Sequence, residues 1–243
     1  MPCKVCGSDE MVKAHIFPRA LIHEMKDGHQ VIYAADATKR GYREYQSGPW
    51  DSNILCQICE AKLSVFDDYA IRWIRKFEQR AIPIFGGKGF EVPNTKSALL
   101  VGFAAATLWR AAVSELRQMP SIDLGPFEPP LRKMLFAEGL FEPRLLIFRK
   151  VRHVDGVPAG MIVAHPYHAP GWGRRAYAFE VGGFLWGIRL DSRQRGADGF
   201  FSPISINGRD TAVVPTAGPI EMRDDQSILD VFAAAEGLTR KLD

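Results

Sequence analysis

With 243 residues, 47% of them hydrophobic and 24% charged, the chain has an ordinary globular composition and enough apolar mass for one large domain or two small ones. A formal net charge of +3 permits contact with nucleic acid without requiring it, because a nucleic-acid footprint is a clustered patch and not an overall balance. Met1 leads into Pro2, Cys3 and Lys4 instead of a secretory leader, and the longest apolar run, 98–109, falls short of the ~18 residues of a spanning helix, so a cytoplasmic protein without a membrane segment is expected.

In chain order, a Cys3-x-x-Cys6-Gly7 knuckle opens the sequence and a short strand follows over 11–16. Pro18 suits the first turn of a short helix over 18–25. The polar stretch 26–50 reads as loop with one weak strand at 31–34. After Cys59, the residues Leu63, Phe66, Ala70, Trp73, Ile74 and Phe77 recur at helical spacing and make one apolar stripe, so a helix is predicted from Glu60 to before Pro83. Arg72, Arg75 and Lys76 fall mostly off that stripe. Residues 1–82 are expected to form one unit and 83–243 a second.

The second unit begins with a turn-rich connector, 83–95, whose glycines lack the strand, helix and Lys-Ser/Thr setting of a phosphate loop. A helix over 95–118, capped by Asn94 or Thr95, is apolar nearly all round until Arg110, as befits a helix buried inside a domain. Arg110 then either finds a partner in the interior or reaches water at the helix edge. A short helix is predicted at 131–137. From Pro143 the period changes to that of strands, at 145–151 and 159–164. A hairpin over 177–190 turns at Gly182-Gly183, pairing Val181 with Phe184, Phe179 with Trp186 and Tyr177 with Ile188. The glycine- and proline-rich tail ends in a short helix at 228–238. The fold class is thus α+β, with a C-terminal antiparallel β region. His23, His29, His153, His165 and His168 show no ligand spacing and read as surface or loop residues. The clusters Arg149, Lys150 and Arg152, and Arg174 with Arg175, read as solvated basic surface.

All four cysteines fall into two Cys-x-x-Cys pairs, Cys3 with Cys6 and Cys56 with Cys59. Each such turn offers two thiolates, and two turns complete the tetrahedral set that structural zinc prefers. The polar stretch between them lacks the apolar mass for its own core, and bound metal supplies the missing stability.

Three segments carry a resemblance: Cys3-Lys4-Val5-Cys6-Gly7, then Ala14-His15-Ile16-Phe17-Pro18-Arg19, then Asp51-Ser52-Asn53-Ile54-Leu55-Cys56-Gln57-Ile58-Cys59-Glu60. They resemble the zinc-braced form of the HNH endonuclease superfamily, the ββα-metal nucleases, and are similar to bacterial proteins sharing the His-Ile-x-Pro and Asp-x-x-Ile-Leu-Cys-x-x-Cys segments. The likeness covers roughly the first 70 residues. It implies a ββα module, with His15 as the general base that activates water. It also implies Asp51, or Asn53 in its stead, as the residue orienting that base. Glu60, in place of the usual final His, becomes a ligand for a catalytic Mg²⁺ or Mn²⁺. Ala14 stands where the family has its first metal ligand, a departure that Asp67 or Asp68 would have to make good.

Three functions fit. One is a metal-dependent HNH-like nuclease acting on DNA or RNA. Another is a zinc-braced module that binds nucleic acid through Arg72, Arg75 and Lys76 without cleaving it. The last is a protein-interaction scaffold that docks a partner through the C-terminal region, at the Phe184/Trp186 hairpin and the helix around Trp109.

Overall fold

The computed structural model describes residues 1–26, 32–35, 42–116, 119–150, 158–191 and 204–217. It is an α+β protein in which helices lie on one face of a large sheet. The helix expected at 228–238 lies outside the described residues.

A two-stranded ribbon pairs β1 (Ala14–His15) with β4 (Trp50–Asp51), antiparallel. Nine further strands form one sheet. They are β2 (Ile32–Ala35), β3 (Tyr42–Tyr45), β5 (Ile82–Ile84), β6 (Gly89–Val92), β7 (Arg144–Lys150), β8 (Ile162–His168), β9 (Ala176–Val181), β10 (Phe184–Arg189) and β11 (Ala212–Ala217). Their order across the sheet is β3-β2-β8-β9-β10-β7-β11-β6-β5. The expected antiparallel character needs correction: β2 runs parallel to β8 and β11 parallel to β7, so the sheet is mixed. Strands from distant parts of the chain meet there, and no tight turn dictates their direction. The boundary expected at residue 82 does not divide this sheet, because β2 and β3 extend its C-terminal strands.

The β9–β10 hairpin has the anticipated register, Val181 opposite Phe184, Phe179 opposite Trp186 and Tyr177 opposite Ile188. Gly182 and Gly183 take φ of 65° and 78°, the left-handed pair that a type I′ turn demands. The supposed connector 83–95 is instead the β5–β6 hairpin, which turns at Gly86 and Gly87.

Five α-helices are described: α1 (Arg19–Met25), α2 (Gln57–Arg75), α3 (Phe77–Arg80), α4 (Ser97–Val113) and α5 (Glu128–Phe136). Among the described residues no helix is long and apolar enough to cross a membrane. α4 is shorter than the predicted 95–118, since the chain leaves the helix at Ser114. Nor does Thr95 cap it. Lys96 holds the cap position, while the Thr95 hydroxyl donates to the Val92 carbonyl and accepts from the Trp73 indole.

The core lies between α2, α4 and the sheet. Phe103 of α4 meets Trp186 edge-on at 5.0 Å, and Trp186 stacks on Phe179 at 5.9 Å. Trp73 of α2 lies 5.3 Å from Phe184. Each such buried ring stabilises the fold by about 1.5–3 kcal/mol. Phe184, Trp186 and Trp109 are therefore interior residues of this chain, which removes them from any docking surface. A smaller apolar cluster lines the opposite sheet face, around Phe148, Leu185 and Trp172. Lys150, read as solvated, is buried there and donates to Glu180 at 2.6 Å. His165 is buried too, stacked on Phe17, where β8 shifts register between Ala164 and Tyr167.

Candidate metal centre and the face beside it

The first knuckle is closed by Cys3 N–H donating to the Ser8 carbonyl at 2.8 Å and Gly7 N–H donating to that of Cys3 at 3.0 Å, with Gly7 at φ 76°. Lys4 N–H and Val12 N–H donate to the carbonyls of Ile54 and Leu55, which lays this knuckle against the second. Cys56 is the N-cap of α2 and Cys59 sits in its first turn. As a result the four sulfur atoms all lie within 4.8 Å of one another, and the Cys6 and Cys56 sulfurs are 3.5 Å apart. A tetrahedron with metal–sulfur bonds of about 2.3 Å has edges of about 3.8 Å, so the spacing suits an ion such as zinc.

The donor chemistry agrees. All four cysteines are free, and only Cys6 is exposed. Burial opposes ionisation of Cys3, yet the backbone N–H groups of Cys6, Cys56 and Val5 outweigh it and bring that thiol down to about 6. Cys59 moves the other way, pushed up by burial and by its three thiol neighbours. The Cys3 thiolate forms readily, whereas Cys59 needs a cation beside it before it follows.

No protein-family model, curated protein or solved structure matches this chain.

Ala14 faces Asp51 across the ribbon, and His15 faces Trp50. Neighbouring residues of a strand point to opposite sides, so His15 and Asp51 leave the ribbon in opposite directions. Asp51 is buried and fully engaged. One carboxylate oxygen accepts from Asn53 N–H at 2.8 Å, the other from the Ser114 hydroxyl at 2.8 Å and Glu115 N–H at 3.2 Å. The carboxylate thus ties the ribbon to the exit of α4.

Glu60, in the first turn of α2, accepts from Arg110 of α4 at 3.4 Å. Arg110 also holds Asp67 of α2. The three form a cluster, buried at Arg110 and Asp67 and partly exposed at Glu60, in which burial pushes the Glu60 carboxyl up, the Arg110 charge pulls it down and Asp67 adds to the rise. Glu60 Oε2 and Arg110 Nε are buried without a partner among the described residues.

His15 is half-buried. Its imidazole pKa is lowered by burial; a hydrogen bond with the Lys13 backbone works against this, while the charges of Arg19, Arg110 and Lys13 add to the fall. Arg110 is therefore the group whose charge reaches both His15 and Glu60.

The basic residues singled out on α2, namely Arg72, Arg75 and Lys76, are all exposed, but Arg75 is paired with Glu24. A second basic face escaped sequence reasoning. On the His15 side of the ribbon, Lys13 stands 4.5 Å over the ring of Trp50, and exposed Arg19, whose charge reaches His15, opens α1. Trp50 keeps 38% of its surface exposed. Alternation puts Lys13 and His15 on one side, but Trp50 joins them only through pairing across the long loop between β1 and β4.

Proposed function

We propose that the chain is a zinc-braced protein of the HNH type that holds nucleic acid on the face of Lys13, His15, Arg19 and Trp50, with cleavage reduced or lost. The observation that carries this is the gathering of two exposed cations and an exposed indole around one half-buried imidazole. Such a surface suits a single strand: phosphates meet Lys13 and Arg19, a base stacks on the exposed part of Trp50, and neutral His15 hydrogen-bonds to the backbone. The order of the first unit agrees with a zinc-braced ββα module, with one cysteine pair ahead of β1, β4 antiparallel to β1, and α2 opening on the second pair. In that scheme Cys3, Cys6, Cys56 and Cys59 hold one structural zinc, and the ion fixes the ribbon relative to α2.

Reduced cleavage follows from the pairing of the carboxylates. A catalytic Mg²⁺ or Mn²⁺ needs uncommitted carboxylates, whereas both oxygens of Asp67 are held by Arg110, Glu60 shares that guanidinium, and Asp51 is engaged by Ser114 and Glu115. The fixed guanidinium also occupies the position between the two carboxylates that a metal ion would need. One feature favours residual nuclease activity: an imidazole with a lowered pKa stays neutral near pH 7 and can accept a proton from water.

Fluorescence anisotropy with short single-stranded DNA and RNA, repeated across a salt series, tests the proposal. Binding should weaken steeply with salt, and Trp50→Ala or Lys13→Ala with Arg19→Ala should weaken it about tenfold or more. No binding at low salt, or binding indifferent to these changes, would sink it. Plasmid nicking with Mg²⁺ or Mn²⁺ that disappears in His15→Ala would restore the nuclease.

A further inference from the structure

A separate cleft of about 400 Å³ lies between the segment that follows α4 and the turn joining β8 to β9. Ile122 and Tyr177 are its buried walls, with Ser121 and Asp123 at one rim and His168, Arg174 and Arg175 at the other. The two sides are pinned together at a single carbonyl: Tyr177 Oη donates to Asp123 O at 2.7 Å, and Arg175 Nη1 donates to the same oxygen at 3.3 Å. His168 Nε2 lies 2.9 Å from the Arg174 carbonyl, and its ring sits 5.7 Å from that of Tyr177. The cleft is thus built from fixed parts.

Its charge is unbalanced. None of the ion pairs among the described residues includes Arg174 or Arg175. The acid in the lining, Asp123, accepts from Gly125 N–H at 2.8 Å through one carboxylate oxygen. Two guanidinium groups at one opening present the paired donors that match a phosphate dianion. The exposed imidazole of His168 offers a flat surface for a ring, and the remaining oxygen of Asp123 can accept from a hydroxyl. The volume suits a ligand a little larger than a sugar phosphate.

We propose that this cleft binds a phosphate monoester carrying hydroxyl groups, of about the size of a nucleoside monophosphate. The site is distinct from the Lys13, His15, Arg19 and Trp50 face and does not depend on the function assigned to that face.

Isothermal titration calorimetry on the full chain, with adenosine 5′-monophosphate, adenosine and succinate as probes, decides the matter. The monophosphate should bind, with adenosine and succinate at least about tenfold weaker, the loss of a charge-assisted contact. Arg174→Ala should weaken the monophosphate about tenfold while leaving the melting temperature unchanged, because the Arg174 side chain makes none of the bonds that pin the cleft. Arg175→Lys, which keeps the charge but loses the planar fork, should also weaken it. Absence of heat, equal affinity for adenosine, succinate binding as tightly, or indifference to Arg174→Ala would each overturn the proposal. So would loss of binding in Trp50→Ala with Arg174→Ala silent, since that places the nucleotide on the other face.

Discussion

Arg110 grips Asp67 with both arms of its guanidinium, at 3.2 and 2.8 Å, in a side chain with no exposure to solvent. The pair joins α2 to α4 and draws Glu60 in as a second acceptor. Desolvating three charged groups is costly, and only their mutual pairing offsets it.

Removing the cation alone should therefore be severe. Arg110→Met leaves the buried Asp67 carboxylate without compensation and the partly exposed Glu60 without its partner, and is expected to cost about 3–5 kcal/mol, read from urea denaturation. Adding Asp67→Leu should recover part of the loss, since it removes one orphaned charge. A single-variant loss below about 1 kcal/mol would mean that water already reaches the cluster.

His15 gives a pH signature. Its folded pKa lies below the ordinary 6.5, chiefly through burial, so the unfolded chain takes up a proton more readily than the folded one. Stability is then full above about pH 6.5, falls as pH drops from there to the lowered folded value, and levels off below it. His15→Gln should flatten that segment of a stability-against-pH curve. A variant curve parallel to the parent between pH 7 and 5 would refute the assignment.

Metal content follows from the cysteine geometry. Elemental analysis should return one zinc per chain, and Cys56→Ser should lose it. Chelation should abolish amide protection around the knuckles, β1 and the start of α2 while the β9–β10 hairpin stays protected. The apparent binding energy of structural zinc in small modules is on the order of 10 kcal/mol, ample to govern the order of the two knuckles, whereas Ile16, Phe17, Ile54 and Leu55 are anchored in the main core as well. A metal-free preparation with unchanged hydrogen exchange would contradict this.

Gly187 tests the second face of the sheet. A Cβ built there would overlap the buried ring of Trp172, which itself packs 5.8 Å from Phe148. Gly187→Ala should destabilise by about 1–3 kcal/mol through overpacking, despite the usual entropic gain of replacing glycine. Thermal melts of parent and variant measure it, and a variant as stable as the parent would show that Trp172 has room to move.

Local features were legible in the sequence. The hairpin register follows from two adjacent glycines and a period of two, and the cysteine pairs announce themselves by spacing. Arg110 stood out as a charge in an apolar helix, but its partner Asp67 could not be named, because nothing in a linear pattern says which face of α2 meets α4. For the same reason Lys150 read as surface: its partner Glu180 lies on another strand, and their burial depends on sheet packing. β5 and β6 were hidden by the glycines of the turn between them. Trp50 joined His15 only once the ribbon register was known.

β2 lies inside the loop that separates the two cysteine pairs, yet it pairs with β8, with Tyr33 opposite Ile162. On the ribosome this sets an order of events. The knuckles and ribbon are available as soon as α2 has emerged, whereas the loop they enclose has no strand to join until β8 is made. At about 5–20 residues per second that interval is on the order of ten seconds. During it the edge of β2 that will meet β8 is open to other chains, and early closure of the thiol cluster would keep the waiting segment tethered at both ends.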